Sequence, residues 1–149
     1  MSLTIVHGLR SEIFVPVIPN PVFTPVKKPL ADMTVAIVTG AGVYVKSDPP
    51  FRLSGDSTFR QIPDGTLEEQ LAVSHGGYDN KDVNRDINAM FPIRALHRLA
   101  QESFIRSSPV HIGFMGGGGD LAKLAGETGP AIVDVLRRAG ADGAVLTAG

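Results

Sequence analysis

The chain has 149 residues, 43% of them hydrophobic, which is enough for one globular domain with its own core. Its 14 basic and 15 acidic residues nearly cancel, and no apolar run is long enough to span a membrane, so binding to nucleic acid or to a membrane is not expected. The absence of cysteine excludes disulfide bonds, thiolate metal sites and a thiol nucleophile, and a cytoplasmic location is expected.

Residues 1–30 are predicted to form an extended, proline-rich N-terminal arm. Five prolines lie within residues 13–30, and they exclude both a helix and a central strand. Apolar side chains such as Phe14, Ile18 and Phe23 lie between them, so the arm is expected to cover a hydrophobic surface of its own chain or of a neighbouring subunit. Residues 31–149 are predicted to form a single α/β domain.

Strand patterns alternate with helix patterns in this domain. Strands are predicted at residues 34–38, 71–73, 110–114 and 145–146, and helices at 92–103, at 120–125 and from Gly129-Pro130 to Gly140. Residues 52–69 and 78–88 are predicted to be loops, because glycine, proline and Asx residues are frequent there. The alternation predicts an open, doubly wound, mostly parallel sheet of the Rossmann-like kind.

Each predicted strand ends in a glycine-bearing turn, at residues 39–42, 74–77, 115–119 and 147–149. Ligands of open α/β sheets bind at the carboxyl ends of the strands, so these turns are predicted to form one rim. The candidate substrate-binding residues along this rim are Thr39, Gly40, Ser74, Gly116, Gly117, Gly118 and Gly119. His75 has the best position of the four histidines for a catalytic role. His97 is expected to be solvated and His111 to be hydrogen-bonded in the core.

Two of these turns also resemble other ligand-binding motifs. Gly40-Ala41-Gly42 follows a strand, as in a dinucleotide fingerprint, but Val45 occupies the third glycine position and no helix is predicted there. The glycines at 116–119 precede a predicted helix, whose free amides could contact a carboxylate or a phosphate. A small-anion- or nucleotide-binding α/β module is therefore an alternative function. No metal site is predicted, because no histidine has metal-ligand spacing.

Several motifs occur together along the chain. Residues 74–79 read Ser-His-Gly-Gly-Tyr-Asp, residues 86–92 read Asp-Ile-Asn-Ala-Met-Phe-Pro, and the sequence closes on Leu-Thr-Ala-Gly. With the proline-rich segment 15–26 and Met-Thr-Val-Ala at 33–36, this combination resembles the selenoprotein B family of glycine, sarcosine, betaine and D-proline reductases. The resemblance runs from about Ser11 to the last residue, and residues 111–119 are most similar to the D-proline reductase branch.

The resemblance implies where the catalytic residue belongs. In this family a selenocysteine follows the last strand, which places it directly after Gly149, with Thr147 and Ala148 as its other neighbours. Selenocysteine is encoded by UGA, and a host that reads UGA as a stop codon would end the chain at Gly149. The sequence is thus expected to be the amino-terminal part of a longer subunit, inactive without the selenocysteine; a natural short paralogue without selenium is the alternative.

The resemblance also implies the reaction and the partners. The family reductively cleaves a carbon–nitrogen bond of a small amino acid: a pyruvoyl group on a partner subunit activates the substrate, and the selenolate attacks it. No further cofactor is expected on this chain. The expected partners are the pyruvoyl-containing subunit and, through an uncovered sheet edge, further copies of the same chain.

Overall fold

The computed structural model describes residues 24–116 and 120–148, together with the backbone of residues 5–6 and 9–10. Most of the predicted arm, and also residues 117–119 and 149, lie outside the described residues. The two N-terminal pairs form short antiparallel strands, β1 (Ile5–Val6) and β2 (Leu9–Arg10). Residues 24–29 are exposed, and the Lys28 ammonium lies 2.6 Å from the Asp142 carboxylate at the edge of the domain.

The α/β domain contains seven further strands and four α-helices within the described part of the chain. The strands are β3 (Thr34–Thr39), β4 (Val43–Val45), β5 (Phe59–Pro63), β6 (Leu71–Val73), β7 (Arg106–Ser107), β8 (Val110–Phe114) and β9 (Gly143–Thr147). The helices are α1 (Lys81–Arg85), α2 (Ile93–Gln101), α3 (Leu121–Lys123) and α4 (Gly129–Arg138). Short 3₁₀ turns lie at Leu30–Asp32, Glu68–Gln70 and Ile87–Ala89, and a π-helical turn at Leu124–Thr128 joins α3 to α4.

The main sheet is open and mostly parallel. Its strands lie in the order β5–β8–β3–β9. β7 and β8 pair with the same side of β3, β7 near its start and β8 near its end. β3, β7, β8 and β9 run in parallel, whereas β5 pairs with β8 in the antiparallel direction. β4 and β6 form a separate two-stranded antiparallel sheet.

Helices cover both faces of the main sheet. Ile37 of β3 packs in a core cluster with Ile93 and Leu96 of α2. The next residue, Val38, faces the other way, because successive side chains of a strand alternate between faces, and it packs in a second cluster with Ile132 and Val135 of α4. The predicted doubly wound α/β fold is therefore confirmed.

The path of the chain defines a switch point in this sheet. After β3 the chain passes to the face that holds β4, β6 and α2, and after β8 it passes to the face that holds α4. β3 and β8 are neighbours, so the connections that follow them diverge to opposite faces. Such a point opens a crevice at the carboxyl ends of the two strands, which is where open α/β sheets bind ligands.

Several local predictions were wrong. Residues 52–69, predicted to be a loop, contain β5, whose edge position tolerates Pro63 at its end. Residues 78–88 contain α1 and the start of a 3₁₀ turn, and Asp86 caps this turn by accepting from the Asn88 amide. Residues 71–73 form a strand as predicted, but this strand pairs with β4 instead of joining the parallel sheet.

None of the helices in the described part of the chain has the length and apolar character needed to cross a membrane.

Candidate functional site

Backbone hydrogen bonds join the predicted rim residues at the switch point. The Gly40 amide donates to the Thr147 carbonyl at 2.9 Å, and the Gly116 amide donates to the Gly40 carbonyl at 2.9 Å. The carboxyl ends of β3, β8 and β9 therefore meet around Gly40. Gly117, Gly118, Gly119 and Gly149 lie outside the described residues, and Ala148 is exposed.

The turn after β6 joins the same edge although β6 belongs to the smaller sheet. The Gly42 amide donates to the Phe114 carbonyl, and the Ser74 amide donates to the Gly42 carbonyl, both at 3.0 Å. Gly42 has a φ of +71°, and a Cβ on it would lie 2.2 Å from the Ser74 carbonyl oxygen. Only glycine permits this approach, which brings the turn at 74–77 to the end of β3.

Two threonine side chains fix the ends of β3 and β9. The hydroxyls of Thr39 and Thr147 both donate to the carbonyl oxygen of Met90, at 3.1 Å and 2.6 Å. The Thr39 hydroxyl also accepts from the Ala41 amide at 3.2 Å. Met90 lies in the segment that precedes α2, so this segment ties together the two strand ends. The sequence did not predict this role of Met90, because the acceptor is its backbone carbonyl and every residue type has one.

His75 and its neighbours form a hydrogen-bonded polar group at the rim. His75 Nδ1 accepts from the Gly77 amide at 2.9 Å, and its carbonyl accepts from Asn80 Nδ2 at 2.9 Å. The rings of His75 and Tyr78 lie 4.7 Å apart, and the Tyr78 hydroxyl donates to the Ala41 carbonyl at 3.0 Å. Burial lowers the pKa of His75 and raises the pKa of Tyr78, so both side chains are neutral at pH 7.

The dinucleotide alternative is not supported by the chain after β3. Gly40-Ala41-Gly42 leads directly into β4, so a strand and not a helix follows these glycines. A dinucleotide fingerprint needs that helix to bind the pyrophosphate. Asp120 caps α3 by accepting from the amides of Ala122 and Lys123, and its carboxylate thereby occupies the amides that an anion would use.

A second polar cluster centres on one oxygen of Asp64, which follows β5. Its Oδ1 atom accepts from the hydroxyl of Ser107 at 2.6 Å and lies 2.8 Å from the Nε2 atoms of both His97 and His111. His111 is fully buried, as expected. His97 was predicted to be solvated, but it is half-buried in this cluster. The Asp64 pKa is lowered from its usual value: burial opposes this, but hydrogen bonds from Ser107, His111 and His97 outweigh it.

The ligand atoms of Asp64, His97 and His111 lie within 4.8 Å of one another, a spacing that a metal ion could use. The other ring nitrogen of His111 argues against such a site. Its Nδ1 atom accepts from the Ile37 amide at 3.0 Å, which places the ring proton on Nε2 and directs that proton to Asp64. A metal-bound histidine normally donates from its second nitrogen, so the residues present fit a hydrogen-bond cluster better than a metal centre.

This cluster makes stability sensitive to acid. Burial lowers the pKa of His111, so the unfolded chain binds a proton near pH 6.5 that the folded chain does not. The free energy of unfolding should be constant above about pH 7 and fall as the pH drops through 6.5, and the one proton of His111 should contribute up to about 1.4 kcal/mol per pH unit to the slope. Urea unfolding between pH 5 and pH 8 measures this slope.

His111→Asn is the matched variant for this pH dependence. An asparagine Oδ1 can still accept from the Ile37 amide, but the side chain no longer titrates. The variant should be less stable at pH 7 and show a shallower slope below pH 6.5. An unchanged slope would mean that other groups, such as His75, cause the acid sensitivity.

A polar cavity of about 500 Å³ lies beside β6 and α1, away from the predicted site residues. Its charged lining includes Lys46, Glu68 and Arg94, and Arg94 binds Glu68 at 2.6 Å. The hydrogen bonds from Arg94 lower the pKa of Glu68. The whole lining carries three basic side chains (Lys46, Arg85 and Arg94) and three acidic ones (Glu68, Glu69 and Asp86), so its charges neutralise one another, and the rim remains the better candidate site.

The sequence pattern that defines the glycine/sarcosine/betaine reductase selenoprotein B family matches residues 6–149. The chain therefore belongs to this family of reductase subunits. Among its relatives is the D-proline reductase subunit gamma of Acetoanaerobium sticklandii, which is 57% identical over 149 residues; the match covers 99% of this chain and 62% of that protein.

Two more distant relatives come from other reductase complexes. The glycine reductase complex component B subunit gamma of Carboxydothermus hydrogenoformans is 28% identical over 154 residues, covering 96% of this chain and 35% of that protein. The sarcosine reductase complex component B subunit beta of Peptoclostridium acidaminophilum is 33% identical over 112 residues, covering 68% of this chain and 26% of that protein. The chain thus spans less than two thirds of the length of these relatives. No solved structure matches it significantly.

Proposed function

We propose that this chain is part of the selenocysteine-bearing subunit of an amino-acid reductase that acts on D-proline. The observation that carries the proposal is the 57% identity to D-proline reductase subunit gamma over nearly the whole chain. The fold supports it, because β9 ends at the switch point of the sheet, next to Gly40 and Gly116. In the family, the residue that follows this strand end is the catalytic one.

The residues present fit a reaction centre at this edge. A selenocysteine supplies a nucleophilic selenolate, and a pyruvoyl group on a partner subunit withdraws electrons from the substrate amine, so that the carbon–nitrogen bond can be cleaved reductively. The chain itself contains no cysteine and so offers no thiol in place of the selenol. The chain itself contributes the end of β9, which hydrogen bonds hold in place, and the glycine backbone next to it.

Thr147 positions the end of β9 in this proposal. Its carbonyl accepts from the Gly40 amide and its hydroxyl donates to Met90, so both sides of the residue are held. A reacting group three residues further along the chain would therefore be attached to a rigid strand end. Holding a nucleophile in one orientation is a large part of catalysis, because little orientational freedom is then lost in the transition state.

The proposal extends to assembly and location. Val145 and Leu146 on β9 are 43% and 76% exposed, although strands of parallel sheets are normally covered on both faces. We infer that the remainder of the subunit, a partner subunit or another copy of this chain covers them in a cytoplasmic complex.

Reconstitution tests the proposal. The gene with its continuation, expressed in a host that inserts selenocysteine and mixed with the pyruvoyl subunit and a dithiol reductant, should consume D-proline. The 149-residue chain with the same additions should show no turnover above the pyruvoyl subunit alone, because the covalent step has no nucleophile. Consumption of D-proline by the short chain would show that the chemistry resides elsewhere.

Glycine, sarcosine and betaine serve as alternative substrates in the same assay. Turnover of one of these in place of D-proline would assign the chain to another branch of the family.

A further inference from the structure

Building on the proposed function, we infer that His75 is a fixed hydrogen-bond donor which binds the carboxylate of the amino-acid substrate through its Nε2–H group. This role differs from acid–base catalysis, because the ring holds its proton throughout.

The first step is the position of the ring proton. His75 Nδ1 accepts from the Gly77 amide at 2.9 Å. A neutral imidazole has one donor and one acceptor, so the proton resides on Nε2. Protonation of Nδ1 would set two N–H groups against each other across this contact. Together with the burial of the ring, this contact disfavours the imidazolium form.

The second step is the rigidity of the ring. His75 is only 7% exposed and packs against the Tyr78 ring. Gly77 lies so close that an added Cβ would be 2.7 Å from His75 Cε1, and the Asn80 amide binds the His75 carbonyl. The ring is therefore fixed on several sides, as a preorganised binding group requires.

The third step is the atom that is left over. Among the described residues, His75 Nε2 makes no hydrogen bond, yet it is not one of the polar atoms sealed from solvent. Its donor is thus available to a ligand. The turn that carries it is linked to the switch point, because the Ser74 amide binds Gly42 and a Cβ on Gly42 would lie 3.3 Å from His75 Cβ.

The chemistry of the donor selects the ligand group. A neutral N–H donor suits an acceptor oxygen, and hydrogen bonds to a charged acceptor are the stronger ones. Every substrate of an amino-acid reductase carries a carboxylate, whereas its amine must remain free for the pyruvoyl group. The carboxylate is therefore the group that this donor would bind.

Two variants separate this role from a structural one. His75→Asn keeps an acceptor near the Nδ1 position for the Gly77 amide but loses the outer donor. His75→Gln keeps this outer donor, because its amide N–H lies near the Nε2 position. In the selenocysteine-containing complex, His75→Asn should raise the KM for D-proline about tenfold with little change in kcat, whereas His75→Gln should stay within about threefold of the parent.

Equal KM values for the parent and His75→Asn, or a larger loss in His75→Gln than in His75→Asn, would overturn the inference. A parent complex that consumes no D-proline would contradict the proposed function and, with it, the assigned ligand.

The tautomer gives a readout that does not depend on turnover. Nitrogen-15 NMR of the histidine-labelled 149-residue chain should show Nε2–H and a bare Nδ1 for His75 from pH 6 to pH 8. A proton on Nδ1, or titration near pH 6.5, would show that the ring is not a fixed donor, whatever the activity of the complex.

Discussion

Asp64→Ala is expected to lower the free energy of unfolding by about 3 kcal/mol, because it leaves three donors without an acceptor, one of them fully buried. The carboxylate oxygen that is lost accepts from Ser107, His97 and His111. His97 is 37% exposed and can turn to water, but His111 is fully buried and its Nδ1 atom is bound to the Ile37 amide. Its Nε2–H group cannot find another acceptor without breaking that contact.

Urea unfolding at pH 7 measures the effect, with two comparison variants. Asp64→Asn keeps an acceptor oxygen in place and should lose about 1 kcal/mol. Asp134→Ala removes an exposed carboxylate on α4 that makes no side-chain hydrogen bond in the described part of the chain, and it should stay within about 0.5 kcal/mol of the parent. A loss below about 1 kcal/mol in Asp64→Ala would mean that the cluster relaxes to other partners or water.

The sequence predicted the regular elements because their patterns are local. β3 is a run of β-branched and apolar residues, in β8 Val110, Ile112 and Phe114 alternate with His111 and Gly113, and α2 and α4 repeat apolar residues at helical spacing. Each of the four predicted strands ends in a glycine-bearing turn, and this repeated pattern predicts the common edge around Gly40. Local patterns of this kind depend only on neighbours in the chain, so they can be recognised without knowledge of the tertiary contacts.

The predictions failed where the decisive neighbours are distant in sequence. Asp64, His97 and His111 come from three separate segments, and nothing in their spacing predicts that they share one oxygen. The same holds for the two threonines that donate to Met90. β5 was missed because its glycine- and proline-rich flanks resemble a loop, and only pairing with β8 makes it a strand.

The role of the individual rim residues stays a prediction. The contacts bring Thr39, Gly40, Ser74, Gly116 and Thr147 to one edge. The divergence of the chain after β3 and β8 favours this edge on physical grounds alone, since it opens a crevice between two neighbouring strands.

Gly113 connects the core to this edge, and its position explains why the small sheet lies where it does. Gly113 is a buried residue inside β8, and a Cβ on it would lie 1.8 Å from the Val43 carbonyl oxygen of β4. A glycine within a strand often marks such a close approach of another backbone. The missing side chain lets β4 lie across β8, and β4 in turn begins directly after Gly42, whose amide binds the Phe114 carbonyl.

Gly113→Ala should therefore destabilise the fold by about 3 kcal/mol, because the methyl group meets a backbone oxygen that no side-chain rotation can move away. Gly65→Ala is the matched control, since a Cβ there meets nothing within 4 Å, and it should change stability by less than about 0.5 kcal/mol.

Urea unfolding gives both values, and hydrogen exchange of the Gly42 amide reports on the edge. If β4 moves away from β8 to accommodate the methyl group, that amide should exchange faster in Gly113→Ala even under conditions where the protein is fully folded. A stable Gly113→Ala variant with a protected Gly42 amide would mean that β4 does not lie this close to β8, and the placement of the 74–77 turn at the switch point would lose its main support.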